Sequence, residues 1–498
     1  MSRLFKNLKM LCVLKIPVRH NPSPNHWAVL RKKKTNSMKA LEYFDDFYKN
    51  VFGEESWKNI RSALLSKDHK YVAVLNNFSD VEKSSFELEA MGAMNMKNIY
   101  SAFKESMKYV KPKQNNEVDE EINDKEDRIS DLVAERQSSL PPYSSAVEYS
   151  LTSSNRKHAD GGLEPVQLQS IETNVVRGSD SSRIISASAG ISASQLYEYV
   201  PATKIKGMDD FVLESEHLGY YTQAADFSVK VEKEYELNFP DNLAIYTFEE
   251  SSKAQFPNPE IGSTEVLDYF LLDGASILPV LSLDLQPGDV FLDMCAAPGG
   301  KSMIALQTLL PRLIVANDVQ ESRINRINNF LEEMLADIGD WDKKFFVTQS
   351  DARSIEDVGM YNKILVDVPC TTDRHCVHED DNNIFKHSRI KERLRLPELQ
   401  SAILKNALKI VKPGGTVVYS TCSMSPIQND GVVQVALKGA YEEYNSIFVV
   451  KDQSAALAPL RYLYNFGGEY GLRYGHLVVP TKARNWGPMY FCKMVRVQ

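Results

Sequence analysis

The sequence predicts an α/β protein, a Rossmann-like doubly wound sheet preceded by a smaller N-terminal α+β or helical region. Three observations predict it. From Asp289 onward, short apolar, β-branched runs alternate with longer helical patterns, as in a mainly parallel sheet clothed by helices. The first run passes into a glycine turn, Ala296-Ala297-Pro298-Gly299-Gly300, with a helix beginning near Lys301. Two later runs, Ile364-Leu365-Val366-Asp367 and Thr416-Val417-Val418-Tyr419-Ser420-Thr421, lead directly to Cys370 and Cys422. An open parallel sheet binds ligands at the carboxyl ends of its strands, so these segments should meet in one crevice.

In chain order, residues 1–40 hold ten Lys or Arg and no Asp or Glu. Leu4, Phe5, Leu8, Met10 and Leu11 interleave with Lys6 and Lys9 as on an amphipathic helix, the pattern of a mitochondrial transit peptide. The alternative is a basic arm that touches nucleic acid. Residues 41–110 repeat aromatic and aliphatic side chains at helical spacing (Leu41, Tyr43, Phe44, Phe47, Tyr48, Val51) and are expected to be a helical region. Residues 111–190 turn acidic and then serine-rich, with too little apolar surface to offset chain entropy, and are expected to be a disordered insertion. A small α+β module is expected over 191–262 and the sheet domain over 263–498, opening with a helix from Thr264 to Leu278. Strands are expected at 289–294, 313–317, 345–349, 363–367, 416–421 and 489–495, and helices at 301–310, 321–335 and 395–411.

Composition narrows the function classes. No apolar run reaches the ~18 residues that would cross a bilayer, so no membrane partner is expected. The six cysteines lack C-x-x-C spacing, so neither a metal site nor a disulfide framework is expected and the thiols read as free. Without residues 1–40, 66 acids face 48 bases, a formal charge of −18 instead of −8. Such a chain needs local basic patches or a basic partner to hold phosphates. The densest basic run, Lys386 to Arg395, follows the Cys370 segment and is expected to touch phosphate, against a default reading as a solvated helix face.

The residue types at the strand tips point to a nucleoside-type ligand. Asp318 ends the second strand, 19 residues after Gly299, where an acid hydrogen-bonds a ribose diol. Asp293, Asp351 and Asp367 occupy the other tips. One such acid would be read as a helix cap; four beside a glycine turn favour a ligand. A phosphate-binding loop shares the ending Gly300-Lys301-Ser302, but its first glycine would fall at Cys295. An acid-lined pocket also suits a cation better than a triphosphate, and S-adenosylmethionine fits. A Rossmann-type dehydrogenase would use the glycine turn and Asp318 but leaves two strand-end thiols unexplained. Cys295 and Cys492 are expected in strands as small buried hydrophobes, and Cys376 has no assigned role.

The run Asp293-Met294-Cys295-Ala296-Ala297-Pro298-Gly299-Gly300-Lys301, then Asp367-Val368-Pro369-Cys370, then Ser420-Thr421-Cys422-Ser423, resembles the Sun-domain family of RNA (cytosine-5) methyltransferases. Leu272-Asp273-Gly274-Ala275-Ser276 is similar to that family's helix ahead of the cofactor strand, and the likeness covers roughly residues 196–498. Most members continue Pro-Cys with Ser-Gly; Thr371-Thr372-Asp373-Arg374-His375 here, with Asn382 to Lys386 and Gly487 to Met494, is similar to the family's mitochondrial ribosomal-RNA branch. The resemblance implies a class I S-adenosylmethionine-dependent fold and 5-methylcytidine formation in mitochondrial small-subunit ribosomal RNA, within the matrix. It further implies a helical-repeat partner of the mitochondrial termination-factor type and a role in ribosome assembly, in which a non-catalytic scaffold is the rival reading. On the residues alone either cysteine could be the nucleophile, since DNA enzymes use that of a Pro-Cys pair. The resemblance makes Cys422 the nucleophile and Cys370 the residue that assists release. It places Gly299, Gly300, Lys301, Asp318, Arg323, Asp351, Ala352 and Asp367 at the cofactor. Asp367 is also expected to hydrogen-bond the target base near nitrogen 3.

Overall fold

A computed structural model describes residues 34–109, 227–336, 341 and 343–498. The basic segment except its last residues, the insertion at 111–190 and the first part of 191–262 lie outside the described residues.

The large sheet has nine strands. Strand β6 (Val290–Asp293) is central, with β7 (Leu313–Asp318) and β8 (Phe345–Gln349) to one side. On the other side come β9 (Tyr361–Asp367), β10 (Val411–Thr421), β13 (Met489–Arg496), β11 (Phe448–Asp452) and β3 (Lys230–Lys233), with β12 (His476–Val478) paired to β13. Strands β6 to β10 run parallel, and β13 lies antiparallel between β10 and β11. The chain leaves β6 to build outward through β7 and β8, then returns to β9 on the opposite side. This switch of direction opens a crevice at the carboxyl ends of β6 and β9. The middle strands are buried on both faces: Leu292, Ile364, Leu365, Val417 and Val418 have no solvent exposure, as expected for a sheet covered by helices such as Glu321–Met334 and Leu396–Ile410. Each strand and helix expected after Asp289 is present, most ends shifting by a few residues.

A second, four-stranded antiparallel sheet takes β1 (Tyr71–Leu75), β2 (Met94–Asn95), β4 (Ile245–Thr247) and β5 (Tyr269–Asp273). It draws strands from the regions at 41–110 and 191–262 and from the start of 263–498. The helix expected from Thr264 to Leu278 forms only at its end, as the turn Gly274–Ser276 and the helix Ile277–Ser282. Tyr269-Phe270-Leu271-Leu272 instead pairs with β1 in register Leu75↔Tyr269 to Tyr71↔Asp273. An aromatic and aliphatic run takes whichever backbone its distant partner offers, and tertiary pairing overrides its local spacing.

The helices Asn36–Phe52, Glu54–Leu64, Val81–Ala90 and Met96–Tyr109 account for most of the N-terminal region. Thr35 caps the first, its hydroxyl accepting from the Met38 amide at 3.2 Å. Phe44, Phe47, Tyr48 and Trp57 are each 1% exposed; Phe44 packs edge-on against Phe385 of the sheet domain, and Tyr48 against Trp57.

Candidate active site

The glycine turn closes over the tip of β6. Gly299 takes φ +110°, a left-handed conformation that glycine supplies without a Cβ clash, and the helix Gly300–Gln307 starts there. At the tip of β6, Asp293 accepts from the Ser302 hydroxyl at 2.7 Å. It is 1% exposed, its second oxygen, Oδ1, has no hydrogen-bond partner among the described residues, and burial pushes its pKa up to about 7. Asp318, at the tip of β7, is 2% exposed. One oxygen accepts from the Gln320 amide at 3.2 Å. The other lies 3.2 Å from Arg323 Nε, within ion-pair range but outside hydrogen-bond geometry. Arg323 spends Nη2 on the Ala297 carbonyl at 2.9 Å, tying the glycine turn to the helix after β7. Asp351 is engaged: Arg353 binds both its oxygens through the side chain, and the Arg353 amide donates at 2.9 Å. Here that acid caps the turn Ala352–Ser354, and Ala352 is buried beside it.

Asp367, at the tip of β9, is held from two sides. Lys301 Nζ donates to it at 2.7 Å and the Ser420 hydroxyl of β10 at 2.7 Å. Burial alone would pull Lys301 down, but the charge and hydrogen bond of Asp367 outweigh it and hold the ammonium above its usual range. Beyond this pair the two thiols meet, Cys370 Sγ 3.1 Å from Cys422 Sγ, both partly exposed. The hydrogen bond with Cys370 first, then burial, pushes the Cys422 thiol well above its ordinary range.

A buried acid that sequence reasoning passed over holds both cysteine loops together. Asp373 has no exposure. It accepts from the Tyr48 hydroxyl at 2.6 Å, the Met424 amide at 2.8 Å and the Thr371 hydroxyl. Gln428 adds a second tie, accepting from the Thr371 amide at 3.2 Å and from Gln400 Nε2 at 3.1 Å. No local pattern marks Tyr48, 325 residues away.

Two expectations change, and Cys376 finds its place. Cys295 lies in the turn after β6, partly exposed, because β6 ends at Asp293 where the chain bends toward Gly299; Cys492 is buried in β13 as expected. Cys376 is buried, its thiol bonded to the Thr371 carbonyl at 2.9 Å and pushed up to about 12 by burial. In the basic run, Arg393 is 8% exposed and lies 4.6 Å from the ring centres of Tyr43 and Phe385, and Arg389 is paired with Glu392. Only Lys386, His387, Lys391 and Arg395 of its bases remain for a phosphate. No group of His, Cys, Asp and Glu among the described residues could hold a metal, and no described helix is long and apolar enough to cross a membrane.

A doubly wound sheet with this strand order, whose carboxyl edge presents a glycine turn, buried strand-tip acids and facing thiols, defines a class I methyltransferase. The family model described as 16S rRNA methyltransferase RsmB/F matches residues 280–459. The chain is 33% identical over 472 residues to the 5-cytosine rRNA methyltransferase nsun-4 of Caenorhabditis elegans, covering 93% of each chain. It is 31% identical over 474 residues to the Xenopus laevis 5-cytosine rRNA methyltransferase NSUN4, covering 95% of this chain and 93% of that one. To the Bos taurus protein of that name it is 45% identical over 261 residues, 51% of this chain and 67% of the relative. The chain belongs to the Sun-domain, or RsmB/F, family of RNA (cytosine-5) methyltransferases. Its cofactor is therefore S-adenosylmethionine. The site fits that group: among the described residues Asp293 Oδ1 and Asp318 Oδ2 are buried acceptors without a hydrogen-bond donor, the latter only ion-paired to Arg323, matching the cofactor's hydroxyl and amino groups.

Proposed function

We propose that this protein methylates carbon 5 of a cytosine in the small-subunit ribosomal RNA of mitochondria through a covalent cysteine adduct. The observation that carries the mechanism is the contact of the two thiols, 3.1 Å apart at the tips of β9 and β10. The Cys422 thiolate adds to carbon 6 of the ring and turns carbon 5 into an enamine-type nucleophile. S-adenosylmethionine, when bound, supplies an electrophilic methyl group. Once carbon 5 is methylated and Cys422 is tied up as a thioether, Cys370, having given its proton to solvent, takes the carbon 5 proton, the 5,6 double bond re-forms, and Cys422 leaves as thiolate. Asp367, held by Lys301 and Ser420, would hydrogen-bond the ring at its nitrogen 3 edge. Gly299, Gly300, Lys301, Asp318, Arg323 and Asp293 would hold the cofactor, with Asp351 and Ala352 at the rim. The target base must be unstacked to reach this crevice.

The full-length relatives, each a 5-cytosine rRNA methyltransferase, support the substrate class, and the basic, acid-free residues 1–40 support delivery to the mitochondrial matrix. The acidic balance that remains favours a helical-repeat partner of the termination-factor type that adds grip on RNA, and with it a part in ribosome assembly. Bisulfite sequencing of mitochondrial ribosomal RNA from cells with and without the protein tests the proposal. One cytosine in the small-subunit RNA should lose its methyl group; an unchanged map would refute the assignment.

Asp318→Ala should weaken S-adenosylmethionine binding by about 1.5–3 kcal/mol, the cost of one charge-assisted hydrogen bond, and leave RNA affinity intact. Calorimetry with unchanged cofactor affinity would remove Asp318 from the site. Asp293 adds a pH dependence. Its carboxyl is raised to about 7, and only the ionised form pairs with the cofactor's ammonium. Cofactor affinity should therefore fall as the pH drops through neutrality, by up to about tenfold per unit. Asp293→Asn should bind weakly with no such slope, and a wild-type affinity flat across that window would count against this role.

A further inference from the structure

We propose that Cys370 and Cys422 are also a modification site: a hydroperoxide joins them as a disulfide, and the bridge reversibly stops methylation; that control rests on the reading that this pair carries the reaction. The two sulfurs lie 3.1 Å apart, and both cysteines are partly exposed.

The fold holds the pair ready to close. Strands β9 and β10 pair in parallel with Asp367 opposite Ser420, so the two chains leave the sheet side by side. Past the strand tips the loops are tied to each other. The Asp373 amide donates to the Cys422 carbonyl at 3.4 Å, and the Asp373 carboxylate accepts from the Met424 amide at 2.8 Å. The Thr371 and Ser423 hydroxyls lie 2.9 Å apart. The chain entropy of bringing the sulfurs together is therefore lost on folding, and a disulfide of about 2.05 Å needs them only about 1 Å closer. No other two thiols of the described residues are in contact. The Cys376 thiol is bonded to the Thr371 carbonyl at 2.9 Å, and Cys492 is buried in β13.

The chemistry needs one oxidant, the peroxide itself. A crevice that admits a pyrimidine base also admits a hydroperoxide. The Cys370 thiolate attacks one oxygen of the O–O bond. That bond breaks, the departing oxygen keeps the electron pair and takes a proton, and Cys370 becomes a sulfenic acid as water or an alcohol leaves. Cys422 acts second, because its contact with Cys370 and its burial keep it protonated. Its sulfur attacks that of Cys370, the S–O bond breaks, and the departing hydroxide takes the Cys422 proton to leave as water. The two thiols lose two electrons and the peroxide gains two. The bridged form has no thiolate to add to carbon 6 and no sulfur to take the carbon 5 proton. A thiol reductant restores both by exchange. Asp293 and Asp318 stand at the tips of other strands, β6 and β7, so the cofactor end is left as it was.

The test treats the reduced full chain with hydrogen peroxide and alkylates it before digestion. Mass spectrometry should find a peptide pair joined through Cys370 and Cys422, with two of the six cysteines closed to alkylation. Methylation of RNA should be lost and then restored by dithiothreitol, while calorimetry shows unchanged S-adenosylmethionine affinity. Cys376→Ser should form the same bridge, and Cys370→Ser should form none. Oxidation of single cysteines without a bridge, or a bridge through any other cysteine, overturns this site and leaves the methyltransferase reading standing. A Cys370–Cys422 bridge that leaves methylation intact overturns both the control and the catalytic role of the thiols. Reduced protein that methylates no RNA overturns the catalytic reading, and with it the control, while a joined peptide pair still supports the modification site.

Discussion

Cys422→Ala should reduce methylation to background and abolish covalent capture of RNA, whereas Cys370→Ala should trap the protein on its substrate. Removing the group that attacks carbon 6 prevents any adduct from forming. Removing the group that takes the carbon 5 proton leaves attack possible and blocks departure, so an adduct accumulates. The 3.1 Å contact makes this division of labour geometrically possible in either direction. On a denaturing gel with RNA and cofactor, a shifted band should appear in Cys370→Ala and be absent from Cys422→Ala. The reverse pattern would exchange the two roles. The elevated Cys422 thiol adds a second readout. Ionisation of a raised thiol grows as pH rises, so adduct formation in Cys370→Ala should still accelerate with pH above neutrality, by less than in a protein where both thiols interact.

The second large effect lies outside the reacting groups. Asp373→Ala should cost on the order of 3 kcal/mol or more, because the Tyr48 hydroxyl, the Thr371 hydroxyl and the Met424 amide would all lose their acceptor in a site without solvent. These donors belong to the N-terminal helix and to the loops after Cys370 and Cys422. Their release should let the thiols drift apart, lowering turnover while cofactor binding at the glycine turn persists. Tyr48→Phe removes a single bond and should cost about 1 kcal/mol. Urea unfolding and turnover of both variants decide the matter. Wild-type stability in Asp373→Ala would mean that this network does not brace the site.

Much of this protein was legible along the chain. The sheet after Asp289 could be read because each strand there is a continuous apolar run and each helix has its own period, both local signals. The glycine turn, the strand-tip acids and the two cysteines were legible for the same reason: a parallel sheet gathers the residues just past its strand ends, wherever they lie in sequence. Tertiary structure decided the rest. The strand at Tyr269–Asp273 exists because β1 offers it a partner, a fact absent from its own spacing. Arg393, read as a base for phosphate, is spent against Tyr43 and Phe385, and Asp351 holds an ion pair with Arg353 that its own stretch of sequence does not announce. The brace from Tyr48 to Asp373 is likewise invisible in sequence. A charge or hydroxyl is free or engaged according to which distant group folding brings within hydrogen-bond reach, and burial then sets whether that pairing stabilises the fold or leaves a donor for a ligand.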